Sequence, residues 1–156
     1  MRTRLLFFSC FVLLALLATA CGGKAAAAEA ASETEPIASQ PATLEDLASL
    51  VAALGAAGAT VEPAESVQQV FFTAAGLIVR VNGADVQVFE YATAEAMETD
   101  AAQVSADGGS IGTSMVSWMA TPHFYKAGRI LVLYVGDDRS ILDLLEGILG
   151  PQFAGR

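Results

Sequence analysis

Residues 76 to 91 read Gly76-Leu77-Ile78-Val79-Arg80-Val81-Asn82-Gly83-Ala84-Asp85-Val86-Gln87-Val88-Phe89-Glu90-Tyr91. Two β-prone runs flank Asn82-Gly83, a pair suited to a type I′ turn because both of its central residues need positive φ. A two-residue loop fixes the register. Val81 is then opposite Ala84, Val79 opposite Val86 and Leu77 opposite Val88 on one side of the ladder. Arg80 is opposite Asp85 and Ile78 opposite Gln87 on the other. The opposite charges falling across the ladder support this pairing, since a one-residue slip would send every side chain to the wrong face. The Val79 side is read as core. Phe89 and Tyr91 fall on the Arg80 side, which is therefore either covered or displayed as an apolar patch.

Working outward, Val67 to Thr73 is predicted as a strand preceding this hairpin. Thr43-Leu44-Glu45-Asp46 reads as a helix start, with Thr43 as cap and an acid suited to the positive helix end. Leu44, Leu47, Leu50, Val51 and Leu54 follow as one apolar stripe, stopped by Gly55 and Gly58. Thr93 to Val104 is a second helix with Met97, Ala101 and Val104 on one face, broken by Asp107-Gly108-Gly109. Thr113 to Ala120, holding Trp118, is predicted as a strand. His123 to Lys126 and Arg129 to Val135 make a second hairpin around Ala127-Gly128. Its last strand, Ile130-Leu131-Val132-Leu133-Tyr134-Val135, is apolar on both faces and belongs in the middle of a sheet. Asp137-Asp138 caps a third helix with Ile141, Leu142, Leu144, Leu145, Ile148 and Leu149 on its apolar face, ended by Gly150-Pro151.

The predicted order is α-βββ-α-βββ-α. This is an α+β fold: an antiparallel-dominated sheet of about five to six strands with three helices, mainly on one face. Phe72 to Ile78 and Phe124 to Ile130 share the pattern F-x-x-A-G-x-I, which suggests a duplicated half.

Charge narrows the range of partners. The chain carries 17 acidic against 8 basic residues, a net −9. Such a surface repels phosphates, so nucleic acid is not an expected partner. It also repels anionic headgroups, so any membrane attachment is expected to come from the N-terminus. Both cysteines, Cys10 and Cys21, precede the globular part. Thiolate nucleophiles, disulfides and cysteine-held metals are therefore not expected there.

Arg2 and Arg4 precede an uncharged run from Leu5 to Ala20. A helix of that length spans about 24 Å, short of the roughly 30 Å hydrocarbon core. A basic start, a short apolar middle and small residues at the end describe a signal peptide. The end reads Leu17-Ala18-Thr19-Ala20-Cys21-Gly22. It resembles the lipobox of bacterial prolipoproteins, with Ala18 where that family usually has Leu. The resemblance implies a diacylglyceryl group on the Cys21 thiol and cleavage before it. Two acyl chains hold a protein stably where one does not, at about 0.8 kcal/mol per buried methylene. Gly22, in place of the Asp associated with inner-membrane retention, imposes no such address. Cys10 has too short an apolar run before it to serve.

The chain thus divides into a signal peptide at 1–20, a lipidated cysteine and Ala/Glu/Ser/Pro tether at 21–42, and one globular domain at 43–156. With Ile37 its one large apolar residue, the tether segment cannot bury enough surface to fold. As a coil, a spacer of this length spans about 25 Å. The globular part resembles small bacterial surface lipoproteins without an assigned domain family.

Little in the domain points to chemistry. His123 is the only histidine. No G-x-S-x-G or cysteine accompanies it, and one histidine among scattered acids is a poor metal set. Asp107 to Gly112 is glycine-rich but lacks the Lys-Ser/Thr of a phosphate loop, and it follows a helix. Asp137-Asp138 lacks EF-hand spacing. Glu90, Glu95, Glu98 and Asp100 read as a solvated acidic face. No catalytic, cofactor or metal residue is nominated. The aromatic set Trp118, His123, Phe124, Tyr125, Phe89 and Tyr91 either packs under a helix or loop or forms a shallow interaction surface. The expectation is a membrane-anchored extracytoplasmic lipoprotein, lipid-held at the cell membrane. It binds an unidentified protein or envelope component without catalysis. A small-ligand or transporter-accessory lipoprotein is the alternative, and an enzyme is the least favoured reading.

Overall fold

A computed structural model describes residues 43–155. The signal peptide, Cys21 and the tether lie outside the described residues. The elements in chain order are α1 (Leu47–Ala56), β1 (Val61–Val67), β2 (Gly76–Val81), β3 (Ala84–Glu90), α2 (Ala94–Ala101), β4 (Ser110–Ile111) and β5 (Ser114–Met115). They continue with β6 (Pro122–Ala127), β7 (Ile130–Val135), α3 (Arg139–Leu149) and β8 (Ala154–Gly155). Six strands form one antiparallel sheet in the order β1-β2-β3-β7-β6-β8, and β4 and β5 pair separately. The fold is α+β, as expected from the sequence.

The hairpin at 76–91 forms in the expected register, Arg80 opposite Asp85 and Val79 opposite Val86. Asn82 and Gly83 take positive φ values of 50° and 88°. Asn82 does more than turn the chain. Its Oδ1 accepts from the Thr60 amide at 2.9 Å, and its own amide donates to the Thr60 carbonyl, also at 2.9 Å. That clasp aligns β1 beside β2.

β1 itself departs from the expected strand at Val67 to Thr73: it runs from Val61 to Val67. Pro63, Glu62 and Glu65 disguise it, since Pro and charge normally argue against a strand interior. At a sheet edge both are tolerated and blunt unwanted pairing. The ladder slips between Pro63 and Ser66, a bulge that belongs to the same edge. Residues after Val67 leave the sheet and fold across its Phe89 side, where Phe72 is buried.

Three further boundaries shift. Asp46, not Thr43, caps α1: its carboxylate accepts from the Ser49 amide at 2.9 Å, and the Ser49 hydroxyl oxygen accepts from the Asp46 amide at 3.0 Å. α2 is capped by Thr93 as expected but ends at Ala101, short of Val104. The strand expected at Thr113 to Ala120 shrinks to Ser114–Met115, and Trp118 lies in the loop beyond it.

β7 lies between β3 and β6 and is buried on both faces. Ile130, Val132 and Tyr134 face one core with Val79, Val86, Val88 and Tyr125, closed by Leu50 and Leu54 of α1 and Ile141, Leu142 and Leu145 of α3. Leu131 and Leu133 face a second core with Phe72, Phe89, Tyr91 and Phe124. That one is closed by Met97 and Ala101 of α2 and by loop residues. Two helices therefore share a face, and the third covers the other together with irregular chain.

The F-x-x-A-G-x-I repeat is not structural. Phe72 lies outside the strands and Gly76 opens β2, whereas Phe124 is inside β6 and Gly128 turns the β6–β7 hairpin at φ 53°. Gly76 is small for a different reason: the Phe89 ring occupies the space its Cβ would need, 2.6 Å away.

Truncating Leu131, which is fully buried, is expected to cost about 2–5 kcal/mol. Asp46→Ala removes a cap and is expected to cost about 1 kcal/mol. Urea midpoints compare the two; equal effects would contradict the central placement of β7.

Candidate interaction surface

The six aromatic and imidazole side chains singled out in the sequence do not share one surface. Phe89, Phe124, Tyr125, Tyr91 and His123 are all buried. Phe89, Tyr91 and Phe124 belong to the core under α2, and Tyr125 points to the opposite core, because neighbours on a strand alternate. Only Trp118 is half-buried.

Tyr91 has a specific role inside the second core. Its hydroxyl donates to Asp100 Oδ2 at 3.0 Å, and the same oxygen accepts from the Thr73 amide at 2.7 Å and the Thr73 hydroxyl at 2.8 Å. Gln103 Nε2 donates to the other oxygen at 3.2 Å. Asp100 is 2% exposed, so it is not part of a solvated acidic face. A buried carboxylate needs such donors, and these tie the loop after β1 to α2 and to the end of β3. Glu98 and Glu90 are also engaged, with Lys126 and Arg129, each at 2.5 Å. Burial, followed by the neighbouring Asp100 carboxylate, pushes the Tyr91 phenol far above its ordinary value.

His123 is 5% exposed. Its Nδ1 lies 2.6 Å from Gln152 Oε1 and its ring stacks on Tyr134 at 6.2 Å. Nε2 is buried without a hydrogen-bond partner. Two hollows meet at His123, Arg139 and Leu142. One of about 450 Å³ adds Thr121 and Asp137, and one of about 200 Å³ adds Glu146 and Gln152. The Thr121 hydroxyl donates to Asp137 Oδ1 at 2.6 Å, so it is held by the carboxylate and not by the imidazole. Among the described residues no group of three or more His, Cys, Asp or Glu is placed to hold a metal ion.

The outer layer over the second core is different in kind. Trp118 packs edge-on against Phe124 at 5.9 Å and Phe71 at 6.2 Å, and Phe71 meets Phe72 at 5.0 Å. The indole Nε1 donates to the Gly108 carbonyl at 2.7 Å. Next to these rings in the chain stand Val70 and Met119, 94% and 102% exposed, and Met115 on β5 is 92% exposed. Two stretches build this layer, and neither carries an Asp, Glu, Lys or Arg: Ser66 to Val79 and Gly108 to Tyr125. Val70, Phe71, Met115 and Met119 were missed as candidates. The signal that would have found them is the pair of charge-free runs within an acidic chain.

No protein-family model, no curated protein and no solved structure matches this chain. Among the described residues no helix is long and apolar enough to cross a membrane.

The raised Tyr91 value makes a pH prediction. A group whose proton is held more tightly in the fold contributes stability below its ordinary pKa, here 10.0, and loses it as pH climbs past that value. Tyr91→Phe is expected to lose about 1–3 kcal/mol at neutral pH by removing one bond to a buried carboxylate. It is also expected to flatten the alkaline fall in stability, leaving the part due to Tyr125, whose phenol is likewise raised by burial. Thermal melts between neutral and strongly alkaline pH read both effects, and an unchanged alkaline limb would contradict the role given to Tyr91.

Proposed function

We propose that this protein is a lipid-anchored extracytoplasmic binding module, held at the cell membrane through Cys21 and acting by contact with a protein or envelope component, without catalysis. The observation that carries the binding role is the pair of charge-free stretches around Trp118 and Phe71, in which Val70, Met115 and Met119 stand almost fully exposed. Exposed apolar groups gathered on one layer of a soluble domain mark interaction sites. The rings beneath are locked edge to edge, so little conformational freedom remains to be lost on binding. The anchoring rests on the lipobox resemblance at Leu17 to Gly22.

Cys21→Ser is expected to leave the leader uncleaved and to abolish incorporation of labelled fatty acid. Mass spectrometry of the N-terminus and acyl labelling check this. Normal processing of the Ser variant would remove the anchor from the proposal.

A second reading, a small-ligand carrier, is favoured by the hollows at His123 and Arg139, where a buried imidazole nitrogen lacks a partner. In that case a ligand raises the melting temperature of the unaltered chain and not that of Arg139→Ala. A ligand that stabilises both equally would count against this cleft.

A further inference from the structure

We infer that the layer around Trp118 meets the bilayer–water interface itself, an inference that rests on the anchoring and binding role proposed above. Val70, Met115 and Met119 stand 92–102% exposed, so they project and do not line a recess. Binding hot spots between proteins are anchors seated in matching pockets of a rigid partner. A bilayer is deformable and accepts projecting side chains without such a match.

Charge points the same way. Carrying a carboxylate into the apolar zone is costly. The chain has 17 acidic residues, yet none falls in Ser66 to Val79 or in Gly108 to Tyr125. The apolar tips are accompanied instead by Thr113, Ser114 and Ser117, uncharged groups suited to the headgroup zone. The acidic remainder of the domain is pushed away from anionic lipid, so the complementary surface is zwitterionic.

Several polar groups of the layer are bonded within the protein. The indole Nε1 donates to Gly108. The Val116 amide donates to the Gly109 carbonyl at 3.0 Å and the Gly112 amide to the Gln103 carbonyl at 2.9 Å. β4 and β5 pair with each other. Groups bonded within the protein cost less when water is withdrawn. Tryptophan is the residue most at home where one end of a side chain is apolar and the other wet. An anchor nearby raises the effective concentration of the domain at the surface, so a weak contact suffices to orient it.

Trp118 is the only tryptophan in the chain, which makes its emission a direct probe. The full chain, purified from membranes, is reconstituted into phosphatidylcholine vesicles with or without bromine on the acyl chains. The expected result is a blue shift and loss of Trp118 emission in the brominated vesicles, weakened when anionic lipid is added. The pair Val70→Asp and Met119→Asp, both at exposed positions, is expected to restore the emission while the chain still sediments with the vesicles. Emission equal in brominated and plain vesicles, with the chain sedimenting, overturns the inference and leaves the anchor standing. A photo-crosslinker at Met119 then tells whether the binding role survives: a protein adduct preserves it and assigns the layer to a protein partner. A chain that does not sediment with the vesicles overturns both the anchor and the inference.

Discussion

A strand buried on both faces has to be covered twice, and that requirement organises this protein. β7 puts Ile130, Val132 and Tyr134 into one core and Leu131 and Leu133 into the other. Water must be excluded from each side, because the hydrophobic gain scales with the apolar area removed from it. One side is met by two amphipathic helices. The other receives a short helix, α2, and chain that has left the sheet after β1 and before β6. The resulting layers differ in chemistry: regular aliphatic packing on one side, aromatic rings under loops on the other.

The loop-covered side needs extra fastening, since irregular chain lacks the ladder bonds that satisfy backbone groups. Asp100 supplies it. Its buried carboxylate gathers Thr73, Tyr91 and Gln103 into one network. Arg129 does a related job at one end of the central strands: its guanidinium reaches the Tyr91 carbonyl, Glu90 and Asp46, and its amide donates to the Glu45 carbonyl. The start of α1 is thereby joined to the β6–β7 turn and to the end of β3. Covering a sheet with loops also has an outward consequence. Where loops do the covering, some apolar side chains are left facing water, here Val70, Met115 and Met119.

The candidate surface was legible only in part. Trp118 was singled out because it is large and aromatic, and it does sit in the exposed layer. Phe89, Tyr91, Phe124 and Tyr125 were grouped with it because aromatic residues on a strand's polar side look like a patch until something is seen to cover them. The cover is Phe72 with the residues around it, a stretch whose β-prone composition suggests a strand. That one misplacement hid both the burial of Phe89 and the exposure of Val70. A carboxylate on a short helix is usually solvated, and the sequence suggests the same of Asp100; what buries it are donors 9 and 27 positions away in the chain, Tyr91 and Thr73.

What the sequence determined by itself is local: the Asn82-Gly83 turn and its register, the second hairpin, the apolar stripe of α3 with its Asp138 cap, and the central position of a strand apolar on both faces. Each follows from short-range geometry, a two-residue turn or a periodicity of 2 or 3.6, that operates within a few residues. Tertiary structure alone decided that Val61 to Val67 is an edge strand despite Pro63, that residues after it cross to the Phe89 side, and which aromatic rings reach solvent. The reason is physical. Burial of a loop residue depends on what lies above it, and that partner is brought there by contacts between distant parts of the chain that no local pattern encodes.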